Sequence, residues 1–241
     1  MAIVWLPEDE ISFPHPDGAQ NTDGIVAVGG DLSVNRLMLA YRWGIFPWYN
    51  SDEPPIWWSP NPRCVIFPKD LKVHKSMRTY FNNDKFTVTY DTQFEQVIRQ
   101  CKQKIRKGQE GETWITQDFI DAYVRLHKIG VAHSVEVWDG DELVGGLYGV
   151  SLGKVFFGES MFSIKPNASK FGFITLVREL EKLDFWLIDA QVVSQHMLTL
   201  GATTIPRSTF LDYMRKNNAE KTYQGDWNLL INNISKEITK S

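Results

Sequence analysis

Nine of the eleven prolines in this chain fall within its first 68 residues, together with five of the nine tryptophans. Proline fixes φ and removes a backbone donor, so such a stretch cannot carry long ladders or helices. The expected organisation is a small, loop-rich N-terminal domain, residues 1–63, followed by a more regular domain, residues 64–241. One firm helix is expected in the first part, "SVNRLMLAYRWG". There Ser33 suits the N-cap, Gly44 suits the position past the end, and Leu37, Ala40 and Tyr41 share a face.

Beyond residue 64 the periodicity becomes regular. Helices are expected around Val73 to Phe81, near Thr92 to Lys104, and after Thr116, where Phe119, Ala122, Tyr123 and Leu126 recur at helical spacing. "FTVTY" reads as a strand. "HSVEVW", "ELVGGLYGV" and "KVFFGESMF" read as an antiparallel meander, because Asp139-Gly140 and Gly153 supply the turns. A helix capped by Asn167, a buried strand "FWLIDAQVV", a helix at "SQHMLTLG" and another capped by Ser208 complete the chain. The order predicts an α+β fold with a mostly antiparallel central sheet, an order compatible with the N-acetyltransferase (GNAT-like) type.

Composition narrows the function classes. Hydrophobic residues at 43% and charged residues at 23% are ordinary for a globular protein, and no apolar run is long enough to span a bilayer. The N-terminus lacks the pattern of a secretory signal, and Cys64 and Cys101 form no disulfide framework, so the cytoplasm is the expected compartment. The five histidines are scattered and neither cysteine has a partner at metal spacing, so no metal is expected. A net charge of −3 leaves nucleic-acid binding to a local patch.

Two acids stand in apolar strands. In "FFGESMFS", Glu159 is flanked by Phe156, Phe157, Met161 and Phe162; it is either a solvated edge or a polar group kept in an apolar pocket to orient a ligand. In "LIDAQ", alternation puts Asp189 and Gln191 on one face, with Ile188 and Ala190 on the other. That pair is either structural or a hydrogen-bond relay in which Asp189 orients Gln191. Trp48, Trp57, Trp58 and Trp114 lie outside periodic elements, as core plugs or as platforms for bases. Lys69, Lys72, Lys75 and Arg78 recur every three residues, and Lys102, Lys104, Arg106 and Lys107 follow. Each cluster is a solvated face or a phosphate contact. There is no P-loop, and the glycine-rich pyrophosphate turn of acetyl-CoA enzymes is missing, so no nucleotide or coenzyme A cofactor is expected.

Several phrases together resemble one family, the bacterial leucyl/phenylalanyl-tRNA–protein transferases: "VAVGGDLSVNRLMLAYRWGIFPWY", "WWSPNPR", "GETWIT", "AYVRLHKIGVAHSVEVW", "LVGGLYGV", "FFGESMFS", "NASK", "LIDAQ" and "LGATTIPRSTF". The resemblance runs from about residue 12 to residue 215. It implies a cytoplasmic enzyme with a GNAT-like C-terminal domain that moves leucine or phenylalanine from its tRNA onto proteins beginning with arginine or lysine, marking them for N-degron degradation. It implies no metal, ATP or coenzyme A. The alternatives are an acyl-CoA-dependent N-acyltransferase and a non-catalytic tRNA-binding module.

Carried over by position, the resemblance makes Asp189 and Gln191 the catalytic relay, with Gln191 near the attacking amine, and makes Glu159 the holder of the donor's α-ammonium group. Leu147, Phe156, Met161, Ile188, Leu176 and Leu180 are then the pocket for the donor side chain. Trp48 and Trp114 lie near the terminal adenosine, and Lys72, Lys75 and Arg78 approach the tRNA backbone. Ala190 stands where a cysteine is common, and Leu176 and Leu180 where phenylalanines occur; the two leucines are expected to shift the preference between leucine and phenylalanine.

Overall fold

A computed structural model describes residues 3–19, 24–103 and 113–231. Lys104, Arg106 and Lys107 of the second basic cluster lie outside the described residues. In chain order the elements begin with β1 (Val4–Leu6), β2 (Ile25–Gly29), α1 (Val34–Arg42), β3 (Phe46–Pro47), β4 (Ile56–Trp58), β5 (Arg63–Ile66), α2 (Lys75–Asn82) and β6 (Thr87–Tyr90). They continue with α3 (Phe94–Gln103), α4 (Gln117–Lys128), β7 (Ala132–Asp139), β8 (Glu142–Leu152), β9 (Val155–Ser163) and α5 (Ala168–Lys182). β10 (Leu187–Gln191), α6 (Gln195–Thr199), β11 (Thr203–Ile205) and α7 (Arg207–Asn217) follow.

Four short strands, in the order β1-β2-β4-β3, make a small sheet in the proline-rich part. The large sheet runs β11-β5-β10-β9-β8-β7-β6. All of its pairs are antiparallel except β9 with β10, so the architecture is α+β with mixed sheets. The switch between sheets falls between Trp58 and Arg63. Packing is nonetheless continuous across it: Tyr41 and Trp57 belong to the same buried cluster as Phe119, Tyr123 and Phe210. Arg207 ties α7 to the N-terminal part by donating to the carbonyls of Ser59 and Ala19, each at 2.8 Å.

The large sheet is covered on both faces. Phe94, Val97, Ile98 and Cys101 of α3 join Phe119, Tyr123 and Leu126 of α4 on one side, while Phe173, Leu176, Val177 and Leu180 of α5 cover the other. Buried on both faces, β8 shows an almost unbroken run of buried residues in place of an alternation.

The four expected caps resolve differently. Ser33 and Thr116 accept from Arg36 N and Phe119 N as a capping residue should. Asn167 does not: it sits at φ 66°, makes no cap bond, and its amide donates to the Tyr80 hydroxyl at 3.2 Å. Ser208 lies inside α7, whose N-cap position is Pro206. The basic helix is also shorter than expected, because His74 occupies the N-cap of α2 and Lys72 lies in the exposed chain before it.

Candidate active site

The site forms where β9 and β10 part. The two strands pair in parallel only over Val155–Phe157 and Leu187–Asp189. β9 runs on to Ser163, while β10 ends in a register shift against β5, with Gln191 at φ 61°. The gap holds a cavity of about 500 Å³ lined on one side by Phe46, Pro47, Trp48 and Trp114, on its floor by Leu147, Phe156, Met161 and Phe173, and on the far side by residues Ala190 to Met197 in part.

A β-bulge explains how an acid entered a core strand. Gly149 pairs with Gly158 and Tyr148 with Ser160, so Glu159 is the extra residue of β9. A bulge re-aims a side chain and shifts the alternation by one. Hence Phe156 and Met161, five positions apart, both face the α5 side, while Phe157 and Phe162 both face the α3 and α4 side. Glycine is required at 149 for a local reason: a Cβ there would lie 2.2 Å from the carbonyl oxygen of Phe157.

Glu159 meets neutral donors. Tyr41 from α1 donates to its Oε1 at 2.7 Å, Gln191 Nε2 donates to the same oxygen at 3.0 Å, and Tyr123 from α4 donates to Oε2 at 3.1 Å. The two phenolic hydroxyls also contact each other. Burial pushes the Glu159 carboxyl up to about 7, against the pull of the bonds from Tyr41 and Tyr123; the Asp189 charge adds to the rise. Burial and the neighbouring Glu159 raise both phenols well above their ordinary range.

Asp189 has a different partner, one that the pattern of the sequence did not single out. Arg63 from β5 donates through Nε to Oδ1 at 2.8 Å and through Nη2 to Oδ2 at 2.6 Å, and through Nη1 to the carbonyl of Gly44 at 3.1 Å. Its guanidinium lies 4.9 Å from the Phe46 ring centre and 4.4 Å from that of Phe210. Both charged groups are sealed from solvent. Asp189 reaches Gln191 through the main chain, accepting from Gln191 N at 2.9 Å. Strict alternation therefore fails at this point: the bulge and the left-handed backbone swing the Gln191 side chain toward Glu159, while Asp189 points into the core behind the cavity.

Of the expected pocket residues, Leu147, Phe156 and Met161 line the cavity. Ile188, Leu176 and Leu180 do not; all three are completely buried in the adjoining core. Helix rise accounts for the two leucines, since α5 touches the cavity through Ser169 and Phe173, and Leu180 sits roughly 10 Å further along the axis. Trp48, at 38% exposed, and Trp114 line the cavity, whereas Trp57 is a core plug donating to the Gly29 carbonyl. Lys72, Lys75 and Arg78 are exposed. Their stretch is tied to α6 by Lys72 N donating to Leu200 O at 2.9 Å and by the His74 ring contacting Thr199 O at 2.8 Å, with His196 and Met197 of α6 on the cavity wall. Tyr41, Tyr123 and Arg63 were missed as site residues. The available signal was a phenol on an apolar helix face, which must find a partner when buried.

The sequence profile described as "Leucyl/phenylalanyl-tRNA protein transferase" matches residues 65–215, and that described as its N-terminal domain matches residues 30–61. The chain belongs to this family. A leucyl/phenylalanyl-tRNA–protein transferase of Anaeromyxobacter sp. is 51% identical over 229 residues, 95% of this chain and 96% of that protein. One of Hahella chejuensis is 50% identical over 214 residues, 88% of this chain and 90% of that protein. Among solved structures, L-PGS from Bacillus licheniformis is similar with a TM-score of 0.39 and 10% identity; the match covers 71% of this chain and 56% of that one. Family membership makes the chain an aminoacyltransferase. No helix of the described residues is long and apolar enough to cross a membrane.

Proposed function

We propose that the chain transfers leucine or phenylalanine from aminoacyl-tRNA to the α-amino group of proteins that begin with arginine or lysine, in the cytoplasm, as the step that marks them for N-degron degradation. The observation that carries this reading is one apolar cavity whose lining includes a single carboxylate, Glu159, set beside Gln191. Such a cavity suits an apolar side chain bearing an α-ammonium group. Leu147, Phe156, Met161 and Phe173 receive the side chain, Glu159 receives the ammonium, and Trp48 and Trp114 stack on the terminal adenosine. Lys72, Lys75 and Arg78 contact the tRNA backbone. The chain then divides into residues 1–63, which supply Tyr41 and Trp48, and a GNAT-like domain of residues 64–241.

The aminoacyl ester already holds the energy of the new bond, so the enzyme must position the two reactants and handle one proton. With Gln191 Nε2 engaged by Glu159, its Oε1 is left to accept from the attacking amine. A neutral amide is a weak base, so Gln191 orients the nucleophile more than it deprotonates it. Asp189, held by Arg63 and bonded to the Gln191 main chain, fixes the backbone that aims this amide.

The test is transfer of labelled leucine and phenylalanine from charged tRNA to peptides beginning with Arg, Lys or Ala. Label is expected on the Arg and Lys peptides and not on the Ala peptide. Acetylation of an Arg peptide by acetyl-CoA without transfer from leucyl-tRNA would overturn the donor assignment, and binding of leucyl-tRNA without transfer would leave only a tRNA-binding module.

A further inference from the structure

At the cavity wall three groups meet in pairs: Glu159 with Tyr41, Glu159 with Tyr123, and the two phenols with each other. Each contact uses one hydrogen. An ionised carboxylate leaves two hydrogens for three contacts, one from each phenol, whereas a protonated carboxyl supplies the third. The ring then closes: Glu159 Oε2–H donates to Tyr123 Oη, Tyr123 Oη–H to Tyr41 Oη, and Tyr41 Oη–H to Glu159 Oε1. Without the third hydrogen, two oxygens face each other with nothing between them in a buried site, and that costs free energy.

The surroundings favour the closed ring. No lysine or arginine among the described residues forms an ion pair with Glu159. Gln191 from β10 donates to it in either protonation state. Asp189 from the same strand adds a negative charge, offset by its pair with Arg63 on β5. Tyr148 from β8 and His196 from α6 are the other titratable groups on the cavity wall. The displacement of the carboxyl up to about 7 agrees with this arrangement, and both phenols, being raised, stay protonated throughout the neutral range.

We propose that Glu159, buried without a cationic partner, stands protonated in a closed ring with Tyr41 and Tyr123 before a donor binds, and that the donor's α-ammonium group displaces this proton to solvent, so that binding releases one proton and selects a free α-amino group. The step balances as carboxyl plus ammonium going to a carboxylate–ammonium pair plus one proton. It rests on the reading of Glu159 as the partner of the donor's amino group.

The experiment is calorimetric titration of the full chain with a leucyl-aminoadenosine amide, whose amide link cannot transfer, in buffers of differing ionisation heat. Close to one proton released per ligand is expected near pH 6 and little near pH 8, with affinity rising about tenfold from pH 5 to pH 6. The same compound lacking its α-amino group should release none. In Tyr41→Phe/Tyr123→Phe the carboxylate loses two donors, so release should persist near pH 8. Tyr123→Phe alone should move the midpoint the same way by less, should the double variant fold poorly. An unmoved midpoint would overturn the role of the phenols. Equal heats in every buffer near pH 6, with transfer from leucyl-tRNA intact, would overturn the proton coupling and leave the functional reading standing. Loss of transfer to every peptide would instead overturn that reading.

Discussion

Two acids lie within one short reach of the large sheet and are handled in opposite ways. Asp189, at the end of β10, is paired two-pronged to Arg63 and sealed from solvent. Glu159, on the bulge of β9, has three neutral donors and a cavity in front of it. A buried carboxylate with a guanidinium partner is complete and inert. A buried carboxyl without a cation is a place for a cation to arrive. The comparison separates a carboxylate closed within the core from a carboxyl that borders the cavity.

Breaking the first region should have the largest effect. Arg63→Ala leaves Asp189 buried without its partner and should cost about 3–5 kcal/mol in urea denaturation. Arg63→Met with Asp189→Leu should recover much of that stability while transfer stays low, because Gln191 loses the bond that sets its backbone; recovery of transfer as well would mean that the pair does not position Gln191. Of comparable size is the contrast between floor and core behind it. Leu176→Ala should destabilise by about 2–5 kcal/mol with the leucine to phenylalanine ratio unchanged, and Met161→Ala should change that ratio at a smaller cost in stability.

Glu159 should give a smaller and pH-dependent effect. Its folded value of about 7 lies above the ordinary 4.5, so the folded protein keeps a proton that the unfolded chain gives up. Stability therefore falls as pH rises from about 4.5 to about 7 and stays lower above that. Glu159→Gln should stabilise the protein by about 1–3 kcal/mol near pH 8 and by little near pH 4, while lowering transfer steeply. Equal Tm changes at both pH values would place the acid in solvent. Least of all on stability, replacing Lys72, Lys75 and Arg78 together by glutamine should leave denaturation unchanged and reduce both tRNA affinity and its salt slope.

Much of the site was legible locally. Phenylalanines, a methionine and one acid in "FFGESMFS" announced a pocket with one polar group, and "LIDAQ" announced a polar pair in a buried strand. Part of what local reading got wrong came from the bulges. Alternation put Asp189 and Gln191 on one face, and the register shift beside Gln191 undid it. Helix spacing placed Leu176 and Leu180 on the correct face of α5 but carried no information about where along that face the cavity stops.

The sequence by itself determined the α+β class, most of the elements, the family and the acids, because each is encoded in residues a few positions apart: apolar periodicity, caps, turn glycines and whole phrases. Only the tertiary structure decided which acid is paired to a guanidinium and which borders the cavity. Tyr41, Tyr123 and Glu159 come from three distant stretches, and Arg63 lies 126 positions from Asp189. Partners that far apart in the chain meet only through the packing of α1 and α4 on the sheet and the pairing of β5 with β10, and no local spacing records those contacts.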